Sequence, residues 1–153
     1  MNLKFVAMKS SGAQEFRNGH LDANGQAPEQ HEEGFGPCRH CLSRIEGEAM
    51  LALSYKPFDS NQAYAESGPI FLHQKACKHY DDFSNAPKLF ADETDLIVRG
   101  YTKEDRIQYT ACRITSSQQL TQTCKSLFED SSVSYLHVRL GPTNCYQYTV
   151  ERA

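Results

Sequence analysis

No stretch of this 153-residue chain approaches the roughly 20 consecutive apolar residues that a membrane-spanning helix needs. The first residues, MNLKFVAMKSS, contain an apolar run shorter than the hydrophobic region of a secretory signal peptide. We therefore expect no membrane insertion and a cytoplasmic location. Because that compartment keeps thiols reduced, the six cysteines are expected to be metal ligands, reactive groups or buried core residues more often than disulfides.

The chain also has little net charge. Its 16 lysines and arginines and 19 aspartates and glutamates give −3 at pH 7. A field this weak predicts no nucleic-acid partner. Four catalytic signatures are missing as well: the P-loop, the dinucleotide glycine fingerprint, H-E-x-x-H and G-x-S-x-G. These absences exclude the enzyme classes that carry such motifs, and the sequence assigns no reaction.

The length fits a single domain over residues 1–153, large enough to bury about two-thirds of its unfolded surface in one core. Apolar periodicity predicts many strands and one principal helix, at about residues 117–129. The predicted fold class is therefore α+β, with a mainly antiparallel β-sheet. The predicted strands cover residues 3–7, 48–55, 69–73, 95–101, 106–115, 133–140 and 145–151.

Two local features refine this prediction. Residues 10–33 are polar and interrupted by glycine and proline, so we interpret them as a disordered arm or, alternatively, as a loop-like segment ordered by the turn-forming residues 22–25. In the last hairpin, the aliphatic face of one strand and the tyrosine face of the next are buried together only if Val138 lies opposite Tyr148. A slip of one residue would turn every side chain to the other face.

Two turn-and-strand segments carry soft metal ligands. Cys38 and Cys41 lie on a Gly/Pro-rich turn, and His73 and Cys77 lie at the end of a later strand. Zinc prefers four tetrahedral nitrogen or sulfur ligands, and a C-x-x-C turn directs two thiolates at one point. An extended chain would hold His73 and Cys77 about 13 Å apart, so a bend at residues 74–76 is required. The sequence predicts a zinc site at these four residues.

The number of protein ligands decides the role of such a site. Four ligands make a closed structural centre, whereas three leave a position for hydrolytic or Lewis-acid chemistry. His40 and His79 could replace a ligand that does not reach the metal.

Thiol chemistry is the first alternative to a metal. A redox C-x-x-C cysteine normally begins a helix, and the few residues between Cys41 and Gly47 leave no room for a full helix. A lone activated Cys38 is the remaining thiol hypothesis, with His137 as a neighbour in space. The competing class is a metal-free small-ligand or thiol-dependent protein centred on Cys38, His137 and Arg139, with Cys145 as a further catalytic candidate.

A small anion is the second alternative ligand. Arg99, Arg106, His137 and Arg139 lie on polar strand faces, and such faces can converge on a carboxylate or phosphate, which arginine binds in bidentate fashion. The simpler interpretation is that these are solvated faces with acidic neighbours, because long charged side chains are mostly exposed.

Several segments stand out as an ordered set: DANGQAPE (22–29), GPCRHCL (36–42), GE (47–48), YAESGPIFLH (64–73), RGY and DRI (99–107), YLHVR (135–139) and NCYQYTVER (144–152). Together they resemble bacterial domain-of-unknown-function family 1203. The resemblance covers nearly the whole chain and implies a stand-alone bacterial domain without an established activity. It also implies that counterparts of Cys41 and His73 are not general, so a four-ligand metal site would belong to a subset of relatives.

Overall fold

A computed structural model describes residues 1–153 and divides the chain into two compact units. The large unit consists of Met1–Val6, Pro57–Glu66 and Asp82–Ala153. The small unit consists of Ala7–Lys56 and Ser67–Asp81. The prediction of one domain over residues 1–153 is not tested by this division and stays a prediction.

The chain forms eight strands, two α-helices and a single 3₁₀ turn at Lys88–Phe90. All strand pairs within the two sheets are antiparallel, which confirms the predicted α+β class with a mainly antiparallel sheet. Neither helix is long and apolar enough to cross a bilayer. The elements in chain order are β1 (Leu3–Val6), α1 (Ser10–Arg17), β2 (Glu29–Pro37), β3 (Arg44–Tyr55), β4 (Gly68–His73), β5 (Leu96–Tyr101), β6 (Ile107–Thr115), α2 (Leu120–Leu127), β7 (Tyr135–Leu140) and β8 (Tyr146–Arg152).

The large unit is built on a five-stranded sheet with the order β1-β8-β7-β5-β6. Helix α2 lies within the predicted helical range and contacts β5 and β6. The predicted register of the last hairpin is confirmed, because Val138 pairs with Tyr148. One step further a β-bulge pairs Arg139 with Tyr146, so that Gln147 is the extra residue of β8.

The small unit is built on a three-stranded sheet with the order β2-β3-β4. Its core gathers apolar side chains from β3 and β4, together with residues of α1, the segment before it and the turn after β2. Burial of this apolar area is the main force that holds the unit together. The buried core residues are Met8, Ala13, Cys38, Ile45, Met50, Leu51, Leu53, Ile70 and Leu72.

The prediction that residues 10–33 are loop-like is wrong at both ends of that segment. Helix α1 forms despite Gly12 because Ala13 is buried and Phe16 packs against the core, and tertiary packing outweighs the low helix propensity of glycine. The first five residues of β2 are exposed, so its pairing with β3 leaves no alternating apolar pattern in the sequence.

The middle of the same segment is an ordered turn and not a disordered arm. The Asp22 carboxylate accepts hydrogen bonds from the backbone N–H groups of Asn24 (2.9 Å), Gln26 (3.1 Å) and, on β3, Ser54 (2.9 Å). The hydrogen bond from Ser54 is the main reason why the pKa of Asp22 lies below its usual range. These bonds fix the turn to β3 of the small unit.

Glycine is required at position 36, just before the Cys38 turn. Gly36 has φ +148°, and a Cβ built there would lie 2.6 Å from the Phe71 ring. Phe71 belongs to β4, so the absent side chain lets the end of β2 pass close to that strand.

We expect Gly36→Ala to destabilise the protein by about 1–3 kcal/mol, because it adds both a steric clash and backbone strain. The matched control is Gly68→Ala at the start of β4, where a Cβ would have nothing within 4 Å. Urea unfolding followed by circular dichroism measures both variants. Equal midpoints for the two variants would contradict this account of Gly36.

Candidate metal centre

The first half of the site is a tight turn that follows β2. The backbone N–H of Leu42 donates to the carbonyl of Cys38 (3.0 Å), and the N–H of Cys38 donates to the carbonyl of Ser43 (2.9 Å). Leu42 takes a positive φ of 51°, which reverses the chain toward β3. No helix follows Cys41, as the sequence predicts. The turn therefore presents Cys38 and Cys41 from one compact loop.

This turn is attached to β4 through the backbone. Cys38 forms a parallel β-bridge with Phe71, and the N–H of Arg39 donates to the carbonyl of Phe71 (3.0 Å). His73 follows Phe71 by two residues and therefore points to the same face of β4. The pairing places the turn beside His73.

The second half of the site is a bend after β4. The N–H of Gln74 donates to the carbonyl of Ala49 (3.0 Å), and the chain then turns so that Tyr80 N–H reaches the carbonyl of His40 (3.1 Å). The bend predicted at residues 74–76 is thereby confirmed, since Cys77 returns to His73.

The four predicted ligand residues meet in the small unit. Their ligand atoms all lie within 4.8 Å of one another, at Cys38, Cys41, His73 and Cys77. The Sγ atoms of Cys38 and Cys77 are 3.9 Å apart, and Cys41 Sγ is 3.5 Å from His73 Nδ1. Tetrahedral zinc bonds of about 2.0–2.3 Å place neighbouring ligand atoms about 3.6–3.8 Å apart. The distances of 3.9 Å and 3.5 Å are close to this spacing, and the widest separation in the group, up to 4.8 Å, is about 1 Å longer.

Cys38 is the thiol best placed to carry negative charge. It is fully buried and accepts hydrogen bonds from the backbone N–H groups of Cys41 and His73, the latter at 3.4 Å. The hydrogen bonds from the Cys41 and Cys77 thiols are the main causes that lower the pKa of Cys38, and the two backbone hydrogen bonds lower it further. For the same reason the pKa values of Cys41 and Cys77 are raised, because each donates its S–H to Cys38. The other two thiols thus stabilise a thiolate at Cys38, and a bound cation would favour the ionised form of all three.

Cys77 has two further donors nearby. Arg17 on α1 donates from Nη2 to Cys77 Sγ (3.1 Å) and from Nε to the carbonyl of His73 (2.9 Å). His40 places Nδ1 3.0 Å from Cys77 Sγ and Nε2 2.8 Å from the hydroxyl of Ser10. Burial lowers the pKa of His40, so its imidazole is neutral and donates from one nitrogen only.

The two alternative histidine ligands lie outside the group of four. His40 stands beside Cys77 as a hydrogen-bonding neighbour, and the ring of His79 lies 5.0 Å from the ring of His40. His73 is the histidine of the cluster, and its second nitrogen is also engaged. Its Nε2 lies 3.3 Å from the Glu48 carboxylate, an arrangement that orients Nδ1 toward the cysteines.

Sequence reasoning missed the residues that surround the cluster. Arg17 and Ser10 were missed because no helix was predicted at α1. Glu48 could have been found from a correct register: Met50 pairs with His73, and Glu48 is diagonal to His73 on the same face of the sheet.

The remaining candidate residues belong to the large unit. His137 and Arg139 share one face of β7 and are buried, and Arg99 pairs with Glu66 (2.5 Å). Cys145 lies in the turn after β7, where its thiol points to the carbonyl of Thr143 (3.7 Å). Cys38 lies in the small unit, and a single centre joining it to His137 and Arg139 stays a prediction.

The predicted convergence of the four arginine and histidine residues is only partly seen. Arg106 is exposed and stacks on the ring of Tyr64, with its guanidinium carbon 5.3 Å from the ring centre. Arg99 lies opposite His137 in the β5–β7 register.

Comparison with known proteins identifies a family and no relative of known activity. A family model described as "Protein of unknown function (DUF1203)" matches residues 35–152. No curated protein and no solved structure matches the chain. The matched range contains all four residues of the cluster, whereas Arg17 and the rest of α1 lie outside it.

We expect Arg17→Met to lower the free energy of unfolding by about 1–2 kcal/mol, because Cys77 and the carbonyl of His73 lose their donors while the apolar part of the side chain is kept. The matched control is Arg44→Met, since the Arg44 side chain is 56% exposed and contacts only Glu46 at 4.0 Å among carboxylates. Urea unfolding measures both. Equal stability of the two variants would show that the Arg17 contacts contribute nothing.

Proposed function

This chain belongs to the DUF1203 family of proteins of unknown function, and we propose that its small unit binds one zinc ion through Cys38, Cys41, His73 and Cys77. The observation that carries the proposal is the gathering of these four ligand atoms within 4.8 Å of one another, from segments that are distant in sequence. One buried thiol, two half-buried thiols and a half-buried imidazole in one cluster are typical of a functional site.

The donor set supports zinc over other common metals. Three sulfurs and one imidazole nitrogen are soft ligands, whereas calcium and magnesium take oxygen ligands. Zinc has no geometric preference from d-electrons and accepts the tetrahedral arrangement that these four atoms approach. Four protein ligands fill its coordination sphere, so the role supported best is structural.

The surrounding residues suit the charge of such a site. Three thiolates and a divalent cation leave one net negative charge, and the Arg17 guanidinium at 3.1 Å from Cys77 Sγ offsets it. The Glu48 carboxylate lies 3.3 Å from Nε2 of His73, where a carboxylate is the usual outer partner of a zinc-bound histidine.

The part of the chain that gains most from the metal is the stretch after β4. Residues 74–81 contain no strand and no helix, and all of them are exposed or half-buried. Cys77 would attach this stretch to the Cys38 turn, closing a long loop whose ordering is otherwise costly in entropy. In a unit with one three-stranded sheet and one short helix, such a fixed point adds stability that the core alone does not supply.

Elemental analysis of the purified protein tests the proposal. We expect about one zinc per chain, and we expect a strong chelator to lower the melting temperature, because metal binding contributes folding free energy. Cys77→Ser should lose the metal and behave like the chelated protein. Cys112→Ser on β6 should keep metal and stability, since its thiol contacts only the carbonyl of Gln108 (3.5 Å).

Two results would contradict the proposal. A folded, metal-free protein whose melting temperature does not change when the chelator is added would favour the thiol-dependent alternative centred on Cys38. Iron in place of zinc would contradict the choice of metal, although the four-ligand site itself would remain.

We expect Glu48→Gln to weaken zinc binding about tenfold, because the carboxylate that orients His73 and increases its basicity is replaced by a neutral amide. The matched control is Glu46→Gln, two residues earlier on β3, which has no contact with the cluster in this structure. Competition with a chromophoric chelator measures the affinity of both variants. Equal affinities would show that Glu48 has no influence on the metal ligand.

A further inference from the structure

We propose that the large unit contains a second, metal-independent site, formed by His137, Arg139 and Gln147, that binds a small carboxylate carrying a hydroxyl group.

Strand register places the three residues at adjacent positions of two paired strands. His137 and Arg139 alternate along β7 and therefore share one face of the sheet. Opposite Arg139, the β-bulge in β8 brings in Tyr146 and leaves Gln147 as the extra residue. The bulge also turns Tyr146 toward His137, with ring centres 4.8 Å apart. Gln147 thus neighbours the position of Arg139 across the ladder.

Each of the three side chains has a buried polar atom without a hydrogen-bond partner. These atoms are His137 Nδ1, Arg139 Nε and Gln147 Oε1, and the residues are only 1%, 5% and 2% exposed. Buried polar groups are nearly always paired, because an unpaired one costs free energy. Three such atoms at neighbouring positions of one sheet indicate a place prepared for a polar ligand.

The orientation of two of the groups is fixed by their other bonds. Gln147 donates from Nε2 to the carbonyl of Cys145 (3.1 Å), so its amide is oriented with Oε1 as the unpaired acceptor. Arg139 donates from Nη1 to the carbonyl of Asn144 (3.1 Å), which leaves its Nε–H as an unpaired donor. The site therefore offers at least one cationic donor and one acceptor.

The charge of the site favours a monoanion. Arg99 is paired with Glu66, whereas Arg139 forms no ion pair with a carboxylate. Burial, and secondarily the charges of Arg139 and Arg99, hold the pKa of His137 well below its usual value, so its imidazole is neutral. One uncompensated guanidinium remains, and a buried charge of this kind is stabilised by an anion that it can bind.

The surroundings favour an organic anion that also has a donor. Gln147 Oε1 needs a hydrogen-bond donor, which a plain carboxylate does not have. The ring of His137 is enclosed by the rings of Phe58, Tyr101 and Tyr146, with centres 4.7–5.1 Å away. Aromatic walls accommodate a carbon skeleton well. A hydroxycarboxylate satisfies the cation, the acceptor and the walls together.

Calorimetric titration of the full-length protein, with its metal content as purified, tests the proposal. The probes are glycolate, acetate and inorganic phosphate. We expect saturable binding of glycolate, about fivefold tighter than that of acetate, since the two differ by one hydroxyl that hydrogen-bonds to Gln147. Absence of saturable glycolate binding would overturn the proposal, and so would tighter binding of phosphate than of glycolate.

Three variants assign the binding to these residues. Arg139→Met should weaken glycolate binding at least about tenfold by removing a charged donor, whereas Arg113→Met, exposed on β6, should leave it unchanged. Arg139→Lys keeps the positive charge but lacks the Nε–H, so its glycolate affinity should lie between that of Arg139→Met and that of the unsubstituted protein.

Gln147→Leu gives a readout that a merely structural role would not change. Glycolate should then bind no better than acetate, while acetate binding is preserved. An unchanged preference for glycolate would exclude Gln147 as the acceptor. Zinc content is measured for each variant, and because the proposed metal ligands all belong to the small unit, it should be unaffected and keep the two proposals separable.

Discussion

The backbone pairing between Cys38 and Phe71 is the interaction on which the candidate metal centre depends. It joins a turn after β2 to β4, and side-chain alternation then brings His73 to the face where the cysteines lie. The absence of a side chain at Gly36 permits this approach. Cys38 itself is part of the apolar core, so the sulfur that anchors the cluster is held by packing as well as by hydrogen bonds. The site therefore follows from sheet geometry. The turn after β2 supplies two of the side chains, and the end of β4 with the bend after it supplies the other two.

Much of this arrangement could be predicted from the sequence. Cysteine and histidine residues at predicted turns can be recognised as candidate metal ligands from the sequence alone. Apolar periodicity located most of the strands. The register of the last hairpin followed from one requirement, the burial of Val138 with Tyr148. What these predictions share is that a local pattern was sufficient.

The parts that could not be predicted are those decided by tertiary context. Helix α1 contains a glycine and only one fully buried residue, so its sequence carries too little periodicity to reveal it, and Arg17 was missed with it. Strand β2 is polar where it begins. No glycine or other turn-forming residue in β8 indicates the bulge that leaves Gln147 as the extra residue, so the sequence alone does not predict it. In each case the deciding contacts come from residues distant in the chain.

The order of strands in the large unit has a consequence for how the protein is made. Strand β1 pairs only with β8, and every other element of the chain lies between them. On the ribosome, β1 must therefore wait unpaired, whereas the three strands of the small sheet and all four candidate metal ligands emerge well before β5 begins. The small unit can thus mature while the large sheet is still incomplete. Under the proposed zinc binding, the metal would stabilise the small unit before the large sheet is complete.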